Sequence, residues 1–331
     1  MSSFVGFGSA LPEHRLGPEE GLAALSEIWP QLRLANAEIV TRYLVQPPTE
    51  VFAPRTLGER MAVYRREAPR LAQLASERAL EDAQLAPEQI DAIFSVSCTG
   101  YMVPALDVEL AQAIGLRADV VRMPLTELGC SGGAAAISAA HRHLRLEPQD
   151  RVLVVCVELC SLTFQPADSS LDNLTAAMVF GDGAAAVVMT GGPGRLEVLA
   201  TGSRLIPESQ SLLGFDLRDD GFHPVLQRGL PRLIERELAG ALAGFGEGQF
   251  DFFAVHAGGP RIFEAVEDGL GLPPGSLQVS RDTFHRYGNL SSVSLLLVLD
   301  ELRQGAPGTG LGLAFGPGVQ VEMATLRRAQ G

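Results

Sequence analysis

"DAIFSVSCTG", residues 91–100, is an apolar run that ends in a small-residue loop, and "DFFAVHAGG", residues 251–259, repeats that plan in the other half of the chain. Both runs are short, rich in β-branched or aromatic residues and bounded by turn residues, which predicts a buried strand entering a loop. A helical pattern follows each, ending "AIGL" in the first half and "GLGL" in the second. Further along, Gly129 precedes Cys130 and Gly288 precedes Asn289, and each pair opens a helix, "SGGAAAISAA" or "LSSVSLLLVL". A duplicated βαβ plan of this kind predicts an α/β fold of two similar halves about an approximate twofold axis. The softest boundary is "TGGPGR", residues 190–195, so the halves are expected at 1–192, carrying Cys130, and 193–331, carrying His256 and Asn289.

Outward from these runs the alternation continues. "RVLVVCVE", "AAAVVMTG", "RLEVLATGSR" and "VQVEMATL" read as further strands, and residues 69–84, 105–114 and 132–144 as helices. The 331 residues are 46% hydrophobic and 20% charged, ample for a large core. A net charge of −13 without a basic run argues against nucleic acid as a partner, because few phosphate counterions would be released. All 26 basic residues are arginine, which excludes chemistry through a lysine Schiff base. The first thirty residues lack a charged-then-apolar signal pattern, and no run of ~18 apolar residues predicts a membrane span. Cys98, Cys130, Cys156 and Cys160 form no paired CxxC motif and have no histidines at ligand spacing, so no metal site is expected and a reducing cytoplasm fits.

The duplication gives Cys130 a reason for its position. A cysteine at a helix start faces N–H groups and partial positive charge that stabilise a thiolate. Symmetry brings that helix start toward the half with Asn289 and with His256, which sits where the strand "FDFFAV" enters a loop. Cysteine, histidine and asparagine at element ends suit acyl transfer through a thioester, although a cysteine protease uses the same residue types. His256 and Asn289 can both donate to one oxygen, an oxyanion hole for the enolate left by decarboxylating a malonyl thioester. With an imidazolium beside it, Cys130 is expected to titrate below the ~8.5 of a free cysteine and His256 above ~6.5. Of the other histidines, His141 and His143 are expected on an arginine-rich helix surface, His14 in the N-terminal segment, and His223 and His285 in loop-like stretches.

"GCSGG", "FGDGAAAVV", "VHAGGPRI", "RYGNLSS" and "AFGPG", in this order from about Phe4 to Leu326, resemble the chalcone synthase-like, or type III, polyketide synthases of the thiolase superfamily. "SCTGYMVPALD" and "HAGGPRI" look most similar to the bacterial branch that includes tetrahydroxynaphthalene synthase. The resemblance implies a thiolase-like fold, its duplicated βαβ halves stacked as α-β-α-β-α in five layers. It also implies a homodimer that loads an acyl-CoA starter, condenses malonyl-CoA units decarboxylatively and cyclises the product to a pyrone, resorcinol or polyhydroxynaphthalene. Coenzyme A thioesters are then substrates, and no metal, flavin or nicotinamide cofactor is required.

Carried over by residue, Cys130 matches the nucleophile and His256 and Asn289 the decarboxylation pair. Phe180 matches the gatekeeper between the coenzyme A tunnel and the cavity, Cys98 and Thr163 match cavity-lining positions, and Val103 matches the residue that enters the partner's cavity. Ala176 and Pro224 are expected to help set cavity volume; Pro224 falls at the second gatekeeper position, with Phe222 two residues earlier. Arg33 and Arg261 are assigned to coenzyme A phosphates. Ala314 departs from the glycine usual in its motif, and its methyl is expected to narrow the bend near the nucleophile. The competing readings are a ketoacyl carrier-protein synthase III that condenses once, and a catalytically silent partner of another synthase.

Overall fold

Residues 1–29, 41–245 and 250–330 are described by a computed structural model. In chain order they form β1 (Ser2–Ala10), β2 (His14–Leu16), α1 (Pro18–Ile28), β3 (Arg42–Leu44), α2 (Pro48–Val51), α3 (Leu57–Ala83), β4 (Ala92–Val96), α4 (Leu106–Ile114), β5 (Val121–Leu125), α5 (Gly132–Leu146), β6 (Arg151–Leu159), α6 (Leu171–Val179), β7 (Asp182–Gly191), β8 (Leu196–Leu205), β9 (Leu213–Arg218), β10 (Gly221–Leu226), α7 (Leu230–Ala241), β11 (Phe252–Val255), α8 (Pro260–Leu270), α9 (Gln278–Tyr287), α10 (Ser294–Leu302), β12 (Gly308–Gly316) and β13 (Gln320–Arg328).

The main sheet has nine strands in the order β11-β12-β13-β8-β1-β7-β6-β4-β5. In the first half β4 runs parallel to β6 and β6 antiparallel to β7. In the second, β11 runs parallel to β12 and β12 antiparallel to β13. The strands "DAIFSVSCTG" and "DFFAVHAGG" therefore occupy equivalent places. The two halves meet where β1 pairs with β8, from Ser2 opposite Val198 to Phe4 opposite Leu196.

Period-2 patterning separates the layers. Along β6, Val152, Val154 and Cys156 join a central core with α5 and α10, whereas Leu153, Val155 and Val157 turn to an outer core with α3 and α4. Across the second half, Phe252 and Ala254 face the central core, while Val255, Leu311 and Leu313 pack against α7 and α8 in a third core. The sequence of layers is helices, sheet, helices, sheet, helices: the five-layered thiolase-like fold. Small residues at the α5 start are explained by close approach, since a Cβ on Gly133 would collide with the Ser292 carbonyl oxygen.

Four local expectations are corrected. His285 lies within α9, whose apolar and polar residues alternate with helical period, and not in a loop. The pattern at residues 69–84 predicts a helix beginning at Pro69, yet α3 starts at Leu57 and Pro69 lies inside it. Thr56 and Glu59 form a reciprocal capping box that sets the start, and the buried face Tyr64, Ala68, Leu71 and Ala75 carries the helix past the proline. His141 is buried against the Ser2 hydroxyl at 2.9 Å rather than surface-exposed. His223 lies within β10, paired with Asp220 at 2.8 Å and Asp168 at 3.5 Å. Among the described residues no helix is long and apolar enough to cross a membrane.

Candidate active site

Cys130 occupies a single 3₁₀ turn, Gly129–Ser131, that leads into α5. The Ser131 hydroxyl donates to the Leu128 carbonyl oxygen at 2.8 Å and tightens that turn. The thiol opens onto a cavity that Thr163, Ala176, Phe180 and Pro224 also line. A neighbouring void shares Thr163, Ala176 and Phe180 and reaches Arg42 and Phe52.

Asn289 lies between Phe180 and Cys130. Its backbone bridges to Phe180: Asn289 N–H donates to Val179 O at 2.7 Å, and Gly181 N–H donates to Asn289 O at 3.0 Å. Its Oδ1 accepts the Ser291 N–H at 2.8 Å, which holds Ser291 at φ +50°, a left-handed conformation that costs energy for a side-chain-bearing residue. The amide nitrogen makes a marginal contact with Gly258 O at 3.5 Å and also donates toward the Cys130 thiol, so its donors face the position where an oxygen on a Cys130-bound or neighbouring thioester would lie.

His256 follows β11, its N–H donating to Leu313 O at 2.8 Å, and the ring is buried with Nδ1 unpartnered. No hydrogen bond joins the imidazole to the Cys130 thiol. Burial pushes the thiol up to about 12, with side-chain hydrogen bonds from Ser291 and Asn289 pulling the other way. Burial also lowers the imidazole to about 4. Both directions oppose the expected thiolate and imidazolium. In this dry geometry, with the two side chains out of hydrogen-bond contact, desolvation of each charge outweighs the helix start.

Cys98 does not line the main cavity. Its thiol lies 3.4 Å from a Glu158 carboxylate oxygen and 3.7 Å from the Ser291 hydroxyl. Glu158 itself escaped the sequence reading. Fully buried, it accepts from Cys98 N–H at 3.1 Å, Thr99 Oγ1 at 2.8 Å and Ser292 Oγ at 2.6 Å, and burial raises its pKa against those bonds. The available signal was a lone carboxylate at the end of the otherwise apolar "LVVCVEL".

The remaining candidates fall outside this cluster. Val103 is 77% exposed, away from its own chain's cavity. Arg261 is exposed in the first turn of α8, and Arg33 lies outside the described residues. Ala314 is fully buried within β12 opposite Glu322, so its methyl is core packing and does not narrow a bend. Gly316 and Pro317 are the residues that press on the nucleophile turn. Pro224 pairs with Phe215 across the β9–β10 hairpin and lines the cavity, while the Phe222 ring packs edge-on against Phe215 at 5.8 Å.

The family described as "Chalcone and stilbene synthases, N-terminal domain" matches residues 36–193, and the corresponding C-terminal domain matches residues 197–329. The 1,3,6,8-tetrahydroxynaphthalene synthase of Streptomyces coelicolor is 37% identical, over 95% of this chain and 89% of its own length. The phloroglucinol synthase of Pseudomonas fluorescens is 32% identical over 95% of each chain. The crystal structure of 1,3,6,8-tetrahydroxynaphthalene synthase from Streptomyces coelicolor, a bacterial type III polyketide synthase, superimposes with a TM-score of 0.94 at 34% identity, covering 99% of this chain and 100% of that one.

Proposed function

The chain belongs to the chalcone and stilbene synthase family and is a type III polyketide synthase, and from that premise we propose that it builds a polyhydroxynaphthalene or resorcinol-type product from malonyl-CoA on Cys130. The observation that carries the residue assignment is that Cys130, at a helix start, opens onto the cavity, while Asn289 reaches its thiol from beside Phe180 and lies 3.5 Å from the carbonyl of Gly258, in the loop that follows the buried His256. Enzymes of this family act on coenzyme A thioesters and need no additional cofactor.

In the loading step neutral His256 takes the Cys130 proton as the thiol attacks the acyl thioester carbonyl. The pair that forms is net neutral, so burial penalises it less than either charge alone. The coenzyme A thiolate leaves and recovers the proton. In extension a malonyl thioester loses carbon dioxide, and the resulting enolate oxygen receives hydrogen bonds from Asn289 Nδ2 and His256. The enolate carbon then attacks the Cys130 thioester, forming a carbon–carbon bond and releasing the thiolate. Phe180 separates the coenzyme A arm from the cavity. Thr163, Ala176 and Pro224 bound the growing chain, with Cys98 behind the wall, and Arg33 and Arg261 meet coenzyme A phosphates.

The reading extends to a homodimer in which Val103 enters the partner's cavity. The exposure of Val103 and Tyr101 supports it, as do the apolar Val121 and Met123 on the sheet edge. Division into halves at 1–192 and 193–331 is supported by the β7–β8 turn, and a cytoplasmic setting by four free cysteines. The test is incubation of purified protein with malonyl-CoA, alone and with acyl-CoA starters, without carrier protein, followed by mass spectrometry. Polyketide products are expected from wild type, and slow decarboxylation alone from Cys130→Ala. Normal product yield from that variant sinks the covalent mechanism.

A further inference from the structure

Arg60 lies in the first turn of α3, is 2% exposed, and pairs with no carboxylate among the described residues. Its charge is met by neutral oxygens instead. Nη1 donates to Leu162 O and Phe164 O at 2.8 Å each, Nη2 to Gln165 Oε1 at 3.0 Å, and Nε to Asp220 O at 3.2 Å. Gln165 extends the network, its Nε2 donating to Phe222 O at 3.0 Å. Leu162 and Phe164 flank Thr163 on one cavity wall, and Asp220 and Phe222 belong to the β9–β10 hairpin, which supplies Leu213, Phe215, Pro224 and Leu226 to the wall.

That hairpin is a separate two-stranded sheet with no strand pairing to the main one. A lone two-stranded ribbon is marginal, so its position depends on what ties it to the body. One tie runs to α6, where Asp172 accepts from Leu226 N–H at 2.9 Å and Gln227 Nε2 at 2.8 Å; the other runs through Arg60 to α3, a rigid element packed on β1, β6 and β7. The planar guanidinium offers several donors in a fixed fork, which an ammonium on a flexible stem cannot reproduce. Gly221, at the tip of the hairpin, has φ +140°, and a Cβ there would come within 2.9 Å of Gln165 Nε2, so the chain is also shaped to let the clamp in.

We propose that Arg60 is a positioning residue for the polyketide reaction: by clamping residues 162–165 and the β9–β10 hairpin to α3, it sets the distance between two cavity walls and with it the length and folding of the released chain. This rests on the synthase reading above. The condensation machinery, Cys130, His256 and Asn289, is held by other bonds and is left in place by a change at Arg60.

The test compares wild type, Arg60→Lys and Leu71→Ala as full-length proteins given malonyl-CoA, with product ratios and kinetics both measured. Leu71 is a fully buried residue of the same helix that faces the outer core, so its truncation destabilises without touching the clamp. Arg60→Lys is expected to change the ratio of early-released to full-length products by about tenfold, while malonyl-CoA consumption at saturation stays within about threefold. Leu71→Ala is expected to lower Tm and keep the wild-type ratio. An unchanged ratio in folded Arg60→Lys, or the same change in Leu71→Ala, overturns the proposal. If Arg60→Lys does not fold, Gln165→Leu cuts one arm and must move the ratio in one direction at every malonyl-CoA concentration; a wild-type ratio there overturns it equally. Wild-type protein that leaves malonyl-CoA unconsumed refutes the synthase reading instead.

Discussion

At Cys130 burial and partnership act in opposite senses. Alone, the buried thiol is pushed up to about 12, so it stays protonated across the neutral range unless His256 shares the proton. In the proposed loading step His256 takes the thiol's proton, so iodoacetamide inactivation of wild type should have its midpoint more than about one pH unit below that of His256→Ala. His223→Ala, whose imidazole is engaged by Asp168 and Asp220, should leave the midpoint unmoved. Equal midpoints for wild type and His256→Ala would show that no proton is shared. At Asn289 the Nδ2 group is the donor nearest the Cys130 thiol, so Asn289→Ala should reduce the condensation rate on the order of 10²–10³-fold in a steady-state assay. Alkylation of Cys130 should stay within a few-fold of wild type, since the thiol's proton goes to His256; a collapse there would move Asn289 from the oxyanion to the nucleophile.

Between elements, the contact that shapes the nucleophile turn is made by the end of β12. A Cβ on Gly316 would lie 2.5 Å from Leu128 O and would also collide with Ser131 Oγ, the hydroxyl that tightens the turn. Gly316→Ala must displace either the turn or the strand end, at a cost of about 1–3 kcal/mol for an overpacked contact. The expected result is a lower Tm together with a loss of product formation larger than that of any equally destabilising change in the outer core. Wild-type activity would mean that the turn tolerates the shift and that its geometry is less demanding than the close packing indicates.

For the whole molecule, the open question is the edge of the sheet at β5. Val121 and Met123 are exposed there, on a strand that pairs only with β4. An uncovered apolar edge is a ready template for another chain. On the proposed dimer, Met123→Glu should shift the protein toward monomer in light scattering and reduce product formation, since the proposed reach of Val103 into a neighbouring cavity would be lost. A stable dimer with that substitution would place the interface elsewhere.

Duplication, layer type and the candidate trio Cys130, His256 and Asn289 are legible in the chain because they rest on local order: period-2 apolar runs, glycines before helix starts, and motifs in series. The five layers followed from the family resemblance, and the alternating faces of β6 and β11 show why the chain adopts them. The start of α3 was misread because a proline inside a helix is locally unfavourable, and only a long buried face together with the Thr56–Glu59 cap outweighs it. What needed the tertiary structure were properties made by neighbours from distant parts of the chain. Burial opposes the expected ionisation of Cys130 and His256, Glu158 draws its hydrogen-bond partners from the loop after β4 and from the turn before α10, and the Arg60 guanidinium finds its carbonyls on two separate cavity walls. Desolvation depends on everything packed around a group, and a linear pattern carries no measure of it.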